Sequence, residues 1–206
     1  MNNEGYLKKT GILGGTFNPI HNGHLKLADA ARDELSLDEV LLMPNGFSYF
    51  KADISMPDAV TRYEMTKEAV RDRQGLSVSD IETRRPGPSY TFETLEELKK
   101  LEPGTHFFYI TGADTLLAMD TWMKPELIFQ YCTVAVTGRK GSEGVEAEAS
   151  RLENKYGAHI VFFEMDPVDI SSSEIRRMIS EGRDVSGMLP EGVFNFINEK
   201  GLYRTA

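Results

Sequence analysis

Short apolar clusters recur along the chain, and glycine, proline or polar residues separate them. Each cluster is only a few residues long and is apolar at consecutive positions, which is typical of strands buried on both faces. The predicted strands cover Thr10–Gly14, Val40–Pro44, Leu76–Ser79, Phe107–Thr111, Thr133–Thr137 and Ile160–Phe163. Because the strands of a parallel sheet are covered on both sides, this pattern favours a parallel sheet.

Between these clusters the apolar residues recur at helical spacing. In the segment after the first strand, Leu27, Ala28, Ala31 and Leu35 share one face. The predicted helices cover His24–Leu35, Asp58–Arg71, Thr91–Leu101, Pro125–Gln130, Glu143–Tyr156, Ser172–Glu181 and Glu191–Glu199. Strands that alternate with helices predict an α/β fold, a doubly wound parallel sheet with helices on both faces. We expect a single domain over residues 1–206, with a small helical part from about residue 170 to the end.

The composition of the chain limits which partners it can bind and where in the cell we expect it. The chain has 206 residues, with 23 basic and 32 acidic side chains and a net charge of −9. An acidic chain of this kind is a poor binder of the nucleic-acid backbone, so we expect no nucleic-acid partner. Cys132 is the only cysteine, which excludes an intramolecular disulfide. With no signal-like segment and no long apolar run, the sequence predicts a cytoplasmic protein without a membrane span. The sequence does not decide the oligomeric state, and it is compatible with a homo-oligomer.

The segment Gly11–His24, GILGGTFNPIHNGH, carries the first chemical signal. A strand enters a Gly14-Gly15 turn, and a helix is predicted to begin near His21. Residues three apart are neighbours on a helix, so His21 and His24 would face the same side. Glycine allows the backbone to approach a ligand, and a helix N-terminus favours an anion. This combination predicts a nucleotide phosphate site.

The segment Ile170–Arg177, ISSSEIRR, carries the second signal. Ser171 followed by Glu174 fits a capping box, which would begin a helix. Ser173 and Arg176 would then share a face beside the free N–H groups of the first turn. The segment predicts a second anion site, although an ordinary capped helix with a surface arginine explains it about as well.

Other phosphate and metal motifs fit less well. Two histidines at this spacing could begin a zinc site, but no third ligand is obvious. The sequence has no GxxxxGK[ST] loop, and no GxGxxG follows the first strand.

Taken together, the motifs resemble those of the HxGH nucleotidyltransferases. GGTFNPIHNGH is similar to their (H/T)xGH signature, and ISSSEIR resembles their C-terminal ISSTxIR motif. The segment RPGPSYT at residues 85–91, the run Gly112-Ala113-Asp114 and the single Trp122 resemble bacterial nicotinate mononucleotide adenylyltransferases in particular. The matches run in order from about Gly11 to Tyr203.

The resemblance implies a Rossmann-like fold and an enzyme that uses ATP and nicotinate mononucleotide to make nicotinate adenine dinucleotide and pyrophosphate. Mg²⁺ would be held through the phosphates rather than by protein ligands. The catalytic residues would be His21, His24 and Arg176. The ATP-binding residues would be Gly14, Gly15, Thr16, Phe17, Ser172 and Ser173. The residues for the second substrate would be Lys51, Thr91, Asp114, Trp122 and Arg139.

Each second-substrate residue has an expected contact. Thr91 would hold the nicotinate carboxylate, Asp114 the ribose hydroxyls, and Trp122 would stack on the pyridine ring. Lys51 would contact the mononucleotide phosphate. Here the sequence departs from the family, because Asn45–Lys51 replaces a PPH(K/R) segment and keeps only its cation.

Three alternative functions stay open from the sequence. Another small adenylyl- or cytidylyltransferase, such as one acting on phosphopantetheine, would share the two anion motifs but lack the SYT and GAD segments. A tRNA-binding module could carry a motif like His21–His24, but the acidic charge and the missing KMSKS segment oppose it. A catalytically silent nucleotide sensor would be expected to have lost a histidine or arginine of the two motifs.

Overall fold

The computed structural model describes residues 7–46, 56–138 and 144–204. Its centre is a six-stranded sheet with the strand order β3-β2-β1-β4-β5-β6. The strands are β1 (Lys8–Gly15), β2 (Glu39–Pro44), β3 (Leu76–Val78), β4 (Thr105–Gly112), β5 (Cys132–Thr137) and β6 (His159–Phe163). β1 pairs with β4, β4 with β5 and β5 with β6, all in parallel. The order reverses at β1, as in other doubly wound sheets.

Helices connect the strands. They are α1 (Asn22–Glu34), α2 (Ala59–Val70), α3 (Ile81–Arg84), α4 (Thr91–Leu101), α5 (Ala113–Ala118), α6 (Pro125–Tyr131), α7 (Val145–Tyr156), α8 (Ser172–Ser180) and α9 (Glu191–Lys200). A 3-10 turn over Met119–Thr121 follows α5. Because crossover helices bring each strand back in the same direction, the alternation of elements produces the parallel sheet.

The predicted elements are all present within the described residues. The strand and helix ends differ from the predictions by at most a few residues, and β5 is buried at its first five positions. The expected start of one helix, Glu143, lies outside the described residues. Two short helices, α3 and α5, were not predicted. The Rossmann-like α/β fold predicted from the sequence is confirmed.

The chain divides into two compact units. The first unit comprises Met1–Leu13, Ala28–Leu41 and Tyr90–Met165, and the second comprises Gly14–Leu27, Leu42–Ser89 and Asp166–Ala206. The buried core of the first unit includes Val40, Leu95, Phe107, Ile110, Leu116, Val134 and Leu152. That of the second includes Ile20, Leu25, Leu42, Met65, Ile175, Val193 and Ile197.

The C-terminal helices belong to the second unit. α9 packs against α2, where a Cβ added at Gly192 would come within 2.9 Å of the Glu68 carbonyl oxygen. α8 buries Ile175 completely. The prediction of one domain with a helical C-terminal part stays a prediction. Within the described ranges, no helix has the length and apolar character needed to cross a membrane.

Candidate active site

The glycine turn at the carboxyl end of β1 is tightly packed. A Cβ added at Gly15 would lie 2.8 Å from Cε1 of Phe17. Phe17 is 2% exposed and has a φ of 48°, a left-handed conformation that residues other than glycine seldom adopt. Its ring meets the imidazole of His24 edge-on, with 5.1 Å between the ring centroids. The turn therefore directs Phe17 inward and leaves Gly14 exposed.

His21 and His24 lie side by side, as the sequence predicts. Their rings stack with centroids 3.7 Å apart. α1 begins at Asn22, so His21 precedes the helix and His24 lies in its first turn. The backbone N–H of His21 donates to Nδ1 of His24 over 3.2 Å. A Cβ at Gly23 would lie 3.0 Å from Nδ1 of His21, so the glycine between the histidines leaves room for that imidazole.

Burial makes both imidazoles neutral. Loss of solvent lowers the pKa of His21 from about 6.5 to about 4. Burial, and secondarily the charge that His21 would carry, lowers the pKa of His24 to about 3. With Nδ1 accepting a hydrogen bond, neutral His24 carries its proton on Nε2. The pair therefore presents a neutral N–H donor at the start of α1.

The N-terminus of α8 lies against the chain that follows the glycine turn. Ser171 caps the helix by accepting a hydrogen bond from the Glu174 N–H over 3.2 Å. The Ser172 hydroxyl donates to the Pro19 carbonyl over 2.9 Å, and Nη1 of Arg176 donates to the Asn18 carbonyl over 2.7 Å. The two motifs that are far apart in sequence therefore meet.

One face of this helix start stays available. Nη2 of Arg176 contacts the Ser173 hydroxyl at 3.4 Å, so these side chains share a face as expected. The Ser172 hydroxyl donates its proton to Pro19, so the group that this residue can still offer to an anion is its backbone N–H. Arg176 is half-buried and uses Nη1 for the protein. The arrangement can hold an anion against α8.

Several buried polar atoms near the histidine pair and the start of α8 have no hydrogen-bond partner within the described residues. Within the described residues, no hydrogen bond reaches Asn18 Oδ1, His21 Nδ1 or the Tyr203 hydroxyl. Burial raises the pKa of Tyr203, so its hydroxyl is protonated and can donate. Buried polar atoms are normally paired, so these three are candidates for contact with a bound ligand. All three belong to the second unit.

Sequence reasoning missed Arg62. This side chain lies on α2 and is 1% exposed. Its five N–H groups all donate: Nε to Pro57 O, Nη1 to Thr16 O and Asn45 Oδ1, and Nη2 to Asn45 O and Gly46 O. The signal was present, because Arg62 lies in helical phase with the buried Met65, Thr66 and Ala69. A charged residue at an apolar position of an amphipathic helix indicates a specific role.

Three of the residues expected to bind the second substrate, Thr91, Asp114 and Trp122, lie in the first unit. Thr91 opens α4 and is half-buried. Its N-cap, Tyr90, makes no side-chain cap, so the start of that helix can accept an anion. Asp114 is exposed in the first turn of α5. Trp122 is half-buried and meets Tyr109 edge-on, with centroids 6.0 Å apart.

Two predicted contacts, Lys51 and Arg139, lie outside the described residues. Their roles stay predictions, and the part of the Asn45–Lys51 segment beyond Gly46 also lies outside the described residues. Among the residues that are described, no three His, Cys, Asp or Glu side chains gather where they could hold a metal ion. The donors at the site are imidazole, hydroxyl, guanidinium and backbone N–H groups, which suit phosphate oxygens.

The fold and the site define a class. The sheet order is that of a Rossmann-like protein, and its first strand ends in a glycine turn beside paired imidazoles and an arginine. Such a protein binds nucleotide phosphates at the carboxyl ends of its strands.

Comparison with known proteins specifies the family. The cytidylyltransferase-like family model matches residues 12–178. A Clostridium kluyveri protein named "Probable nicotinate-nucleotide adenylyltransferase" is 41% identical over 95% of this chain and 99% of its own. A protein of Dehalococcoides mccartyi with the same name is 39% identical over 95% of this chain and 97% of its own. The chain therefore belongs to the nicotinate-nucleotide adenylyltransferases, a family of nucleotidyltransferases, and the resemblance in its motifs is confirmed.

Solved structures support the fold. The Plasmodium falciparum nicotinic acid mononucleotide adenylyltransferase complexed with NaAD superimposes with a TM-score of 0.78. The match covers 95% of this chain and 97% of that one at 18% identity. At that identity the likeness concerns the fold.

Proposed function

We propose that this protein transfers the adenylyl group of ATP to the 5′-phosphate of nicotinate mononucleotide. The products are nicotinate adenine dinucleotide and pyrophosphate. The observation that carries the proposal is that α8 bonds the segment leading into the stacked His21–His24 pair, through Ser172 to the Pro19 carbonyl and through Arg176 to the Asn18 carbonyl. Membership of the adenylyltransferase family over nearly the full chain supports the choice of substrates.

The reaction is an in-line displacement at phosphorus. An oxygen of the mononucleotide phosphate attacks the α-phosphorus of ATP, and the bond from that phosphorus to the bridging oxygen of the β-phosphate breaks. The electron pair leaves with pyrophosphate. Because the attacking phosphate is already ionised, the protein supplies positioning and charge stabilisation rather than a nucleophile.

The histidine pair serves this step as neutral donors. Nε2–H of His24 points a hydrogen bond at a phosphate oxygen that gains charge during the displacement. Its orientation comes from the bond that Nδ1 accepts from the His21 N–H. A neutral pair also avoids the repulsion that two adjacent imidazolium ions would create.

The start of α8 serves the leaving group. Free N–H groups at a helix N-terminus favour an anion, and Arg176 adds a charged donor beside the Ser173 hydroxyl. Since Nη1 of Arg176 is fixed on the Asn18 carbonyl, the guanidinium is oriented before ATP arrives. We assign the β- and γ-phosphates to this helix.

A divalent cation fits the site as part of the substrate. Mg²⁺ bound across the triphosphate would neutralise charge on the phosphate oxygens. The side chains of this chain then need to bind only the outer oxygens, for which His21, Ser173 and Arg176 are suitable donors.

The cysteine supplies no nucleophile for a covalent enzyme intermediate. Cys132 is the only cysteine and is 5% exposed. Burial raises the pKa of its thiol to about 12, so almost no thiolate forms at neutral pH.

In the first unit, Thr91, Asp114 and Trp122 supply the chemistry that a nicotinate nucleoside needs. The uncapped start of α4 suits a carboxylate, Asp114 suits ribose hydroxyls, and Trp122 offers an aromatic face.

The direct test is to identify the product. Purified protein is incubated with ATP, Mg²⁺ and one acceptor at a time: nicotinate mononucleotide, nicotinamide mononucleotide or phosphopantetheine. Mass spectrometry should find nicotinate adenine dinucleotide and an equal amount of pyrophosphate in the first reaction. Product from phosphopantetheine alone, or none from any acceptor, would overturn the proposal.

A further inference from the structure

We propose that Arg62 is a positioning residue for the ATP-binding turn. It touches neither substrate, and it acts by fixing the direction of the backbone N–H groups that follow β1. The inference rests on the proposed function only in taking the Gly14–Phe17 turn as the ATP site.

The need to fill space in the core does not explain why an arginine is buried at position 62. It is 1% exposed, and all five of its hydrogen-bond acceptors are carbonyl oxygens. Burying a guanidinium costs free energy, and an apolar side chain of similar volume would fill the same space without that cost. The presence of a guanidinium here is explained by its five N–H donors, which a rigid planar group holds in fixed directions.

These donors connect the segments that follow two neighbouring strands. Nη1 bonds the Thr16 carbonyl at 2.7 Å, beyond β1, and Nη2 bonds the carbonyls of Asn45 and Gly46, beyond β2. Asn45 reinforces the connection, since its N–H donates to Gly15 O at 2.9 Å and its side-chain amide donates to the Thr16 hydroxyl at 3.3 Å. The turn is therefore fixed from one side through its carbonyl oxygens.

We call the hydrogen bonds from Arg62 to the carbonyls of Thr16, Asn45 and Gly46 the Arg62 anchor. Because a peptide is planar, fixing its carbonyl also fixes the direction of its N–H. In a trans peptide, the carbonyl of one residue and the N–H of the next point in opposite directions. With Gly15 O directed at Asn45 and Thr16 O at Arg62, the N–H of Thr16 is directed away from Asn45 and that of Phe17 away from Arg62. Bonding to a cation also polarises the Thr16–Phe17 peptide and strengthens its N–H as a donor.

A close approach at Gly46 keeps the anchor in place. A Cβ at Gly46 would clash with the Glu82 carbonyl oxygen, so only glycine fits there. This contact holds the Gly46 carbonyl where Nη2 of Arg62 reaches it at 2.8 Å.

The test compares Arg62→Lys with Arg71→Lys. Lysine keeps the charge but offers three donors from one atom, so it cannot satisfy five carbonyls in a plane. Arg71 ends the same helix, is exposed and pairs with Glu68, and its replacement should change nothing. The measurements are the Kd for ATP by calorimetry without any acceptor, the KM for ATP and kcat in adenylyl transfer, and the Tm.

We expect Arg62→Lys to raise the Kd and the KM for ATP about tenfold or more in protein that circular dichroism shows to be folded. A purely structural role would lower the Tm, or the active fraction, and leave the Kd and KM for ATP at their wild-type values; that result would overturn the proposal. Failure of the proposed function looks different, because the wild-type protein would then bind ATP without forming a dinucleotide.

A second variant covers the case in which Arg62→Lys does not fold. Asn45→Ala removes one acceptor of Arg62 and the donor to Thr16, and leaves the other four bonds of Arg62 in place. We expect a rise in the Kd for ATP in the same direction, of about threefold. A wild-type Kd in this variant would contradict the role of the anchor.

Discussion

The backbone N–H of His21 donates a hydrogen bond of 3.2 Å to Nδ1 of His24. Because Nδ1 accepts this bond, the proton of the neutral His24 ring lies on Nε2. That nitrogen is therefore a hydrogen-bond donor. The stacking of the two rings at 3.7 Å adds a second constraint, because it disfavours charge on both at once.

The neutrality of the pair predicts a pH dependence of stability. In the folded protein the pKa values are about 4 for His21 and about 3 for His24, below the ordinary value of about 6.5. Between these limits the unfolded chain binds more protons, so the free energy of unfolding falls as the pH falls from about 6.5 toward 4. The stabilisation is fully present above pH 6.5.

Thermal melts between pH 4.5 and 7 check this dependence. His24→Asn keeps an acceptor for the His21 N–H but does not titrate, so its Tm should decline less steeply with acidification than that of the wild type. His159→Asn, at an exposed site, is the control and should keep the wild-type slope. Equal slopes for wild type and His24→Asn would contradict the prediction.

The packing of the glycine turn gives a prediction about activity. Gly15→Ala would place a Cβ 2.8 Å from Cε1 of Phe17, and that ring, which meets His24 edge-on, would have to shift. Since a displacement of about 1 Å at a reacting centre costs on the order of 100-fold, kcat/KM should fall roughly 10- to 100-fold.

Steady-state kinetics on Gly15→Ala and Gly104→Ala separate this effect from a general loss of stability. A Cβ at Gly104 meets nothing within 4 Å, so that variant should behave as wild type. Wild-type kcat/KM in Gly15→Ala would show that the Phe17 ring moves without cost.

The start of α4 predicts a preference for the acid form of the second substrate. Backbone N–H groups there suit a carboxylate, whereas the amide of nicotinamide brings its own donors and leaves them mismatched. We expect kcat/KM for nicotinate mononucleotide to exceed that for the nicotinamide form by roughly 100-fold or more. Thr91→Val should narrow the ratio, and equal values in the wild type would refute the assignment.

Trp122 provides a prediction specific to the mononucleotide. Stacking of a heterocyclic ring on an aromatic side chain contributes about 1–3 kcal/mol. Trp122→Ala should raise the KM for nicotinate mononucleotide by roughly 5- to 150-fold with little change in the KM for ATP. Trp122→Phe should retain most of the affinity. A rise confined to the KM for ATP would remove Trp122 from this role.

Much of the fold could be predicted from sequence because each strand is apolar on both faces. Parallel strands such as β5, buried at five consecutive positions, leave an unambiguous pattern. α3 and α5 were missed because helices of four and six residues are too short to show a periodicity.

The candidate site was predictable where its chemistry is local in sequence. The stacking of His21 and His24 and the cap at Ser171 follow from spacing of three residues. The helical phase of Arg62 indicates that it is buried, but its contacts could not be predicted. They join Thr16, Asn45 and Gly46 through backbone carbonyls, which no side-chain pattern encodes. The bond from Ser172 to Pro19 likewise spans residues that only the fold brings together.

The most direct test of the account is the rate at which the α-phosphate of labelled ATP enters nicotinate adenine dinucleotide, in wild type and in His24→Ala. Loss of one preorganised donor typically costs about 2.7–4 kcal/mol of transition-state stabilisation. We predict efficient transfer by the wild type and by His159→Ala, and a roughly 100- to 1,000-fold lower kcat in folded His24→Ala. Near wild-type transfer by His24→Ala would contradict the central claim that the histidine pair stabilises the transferring phosphate.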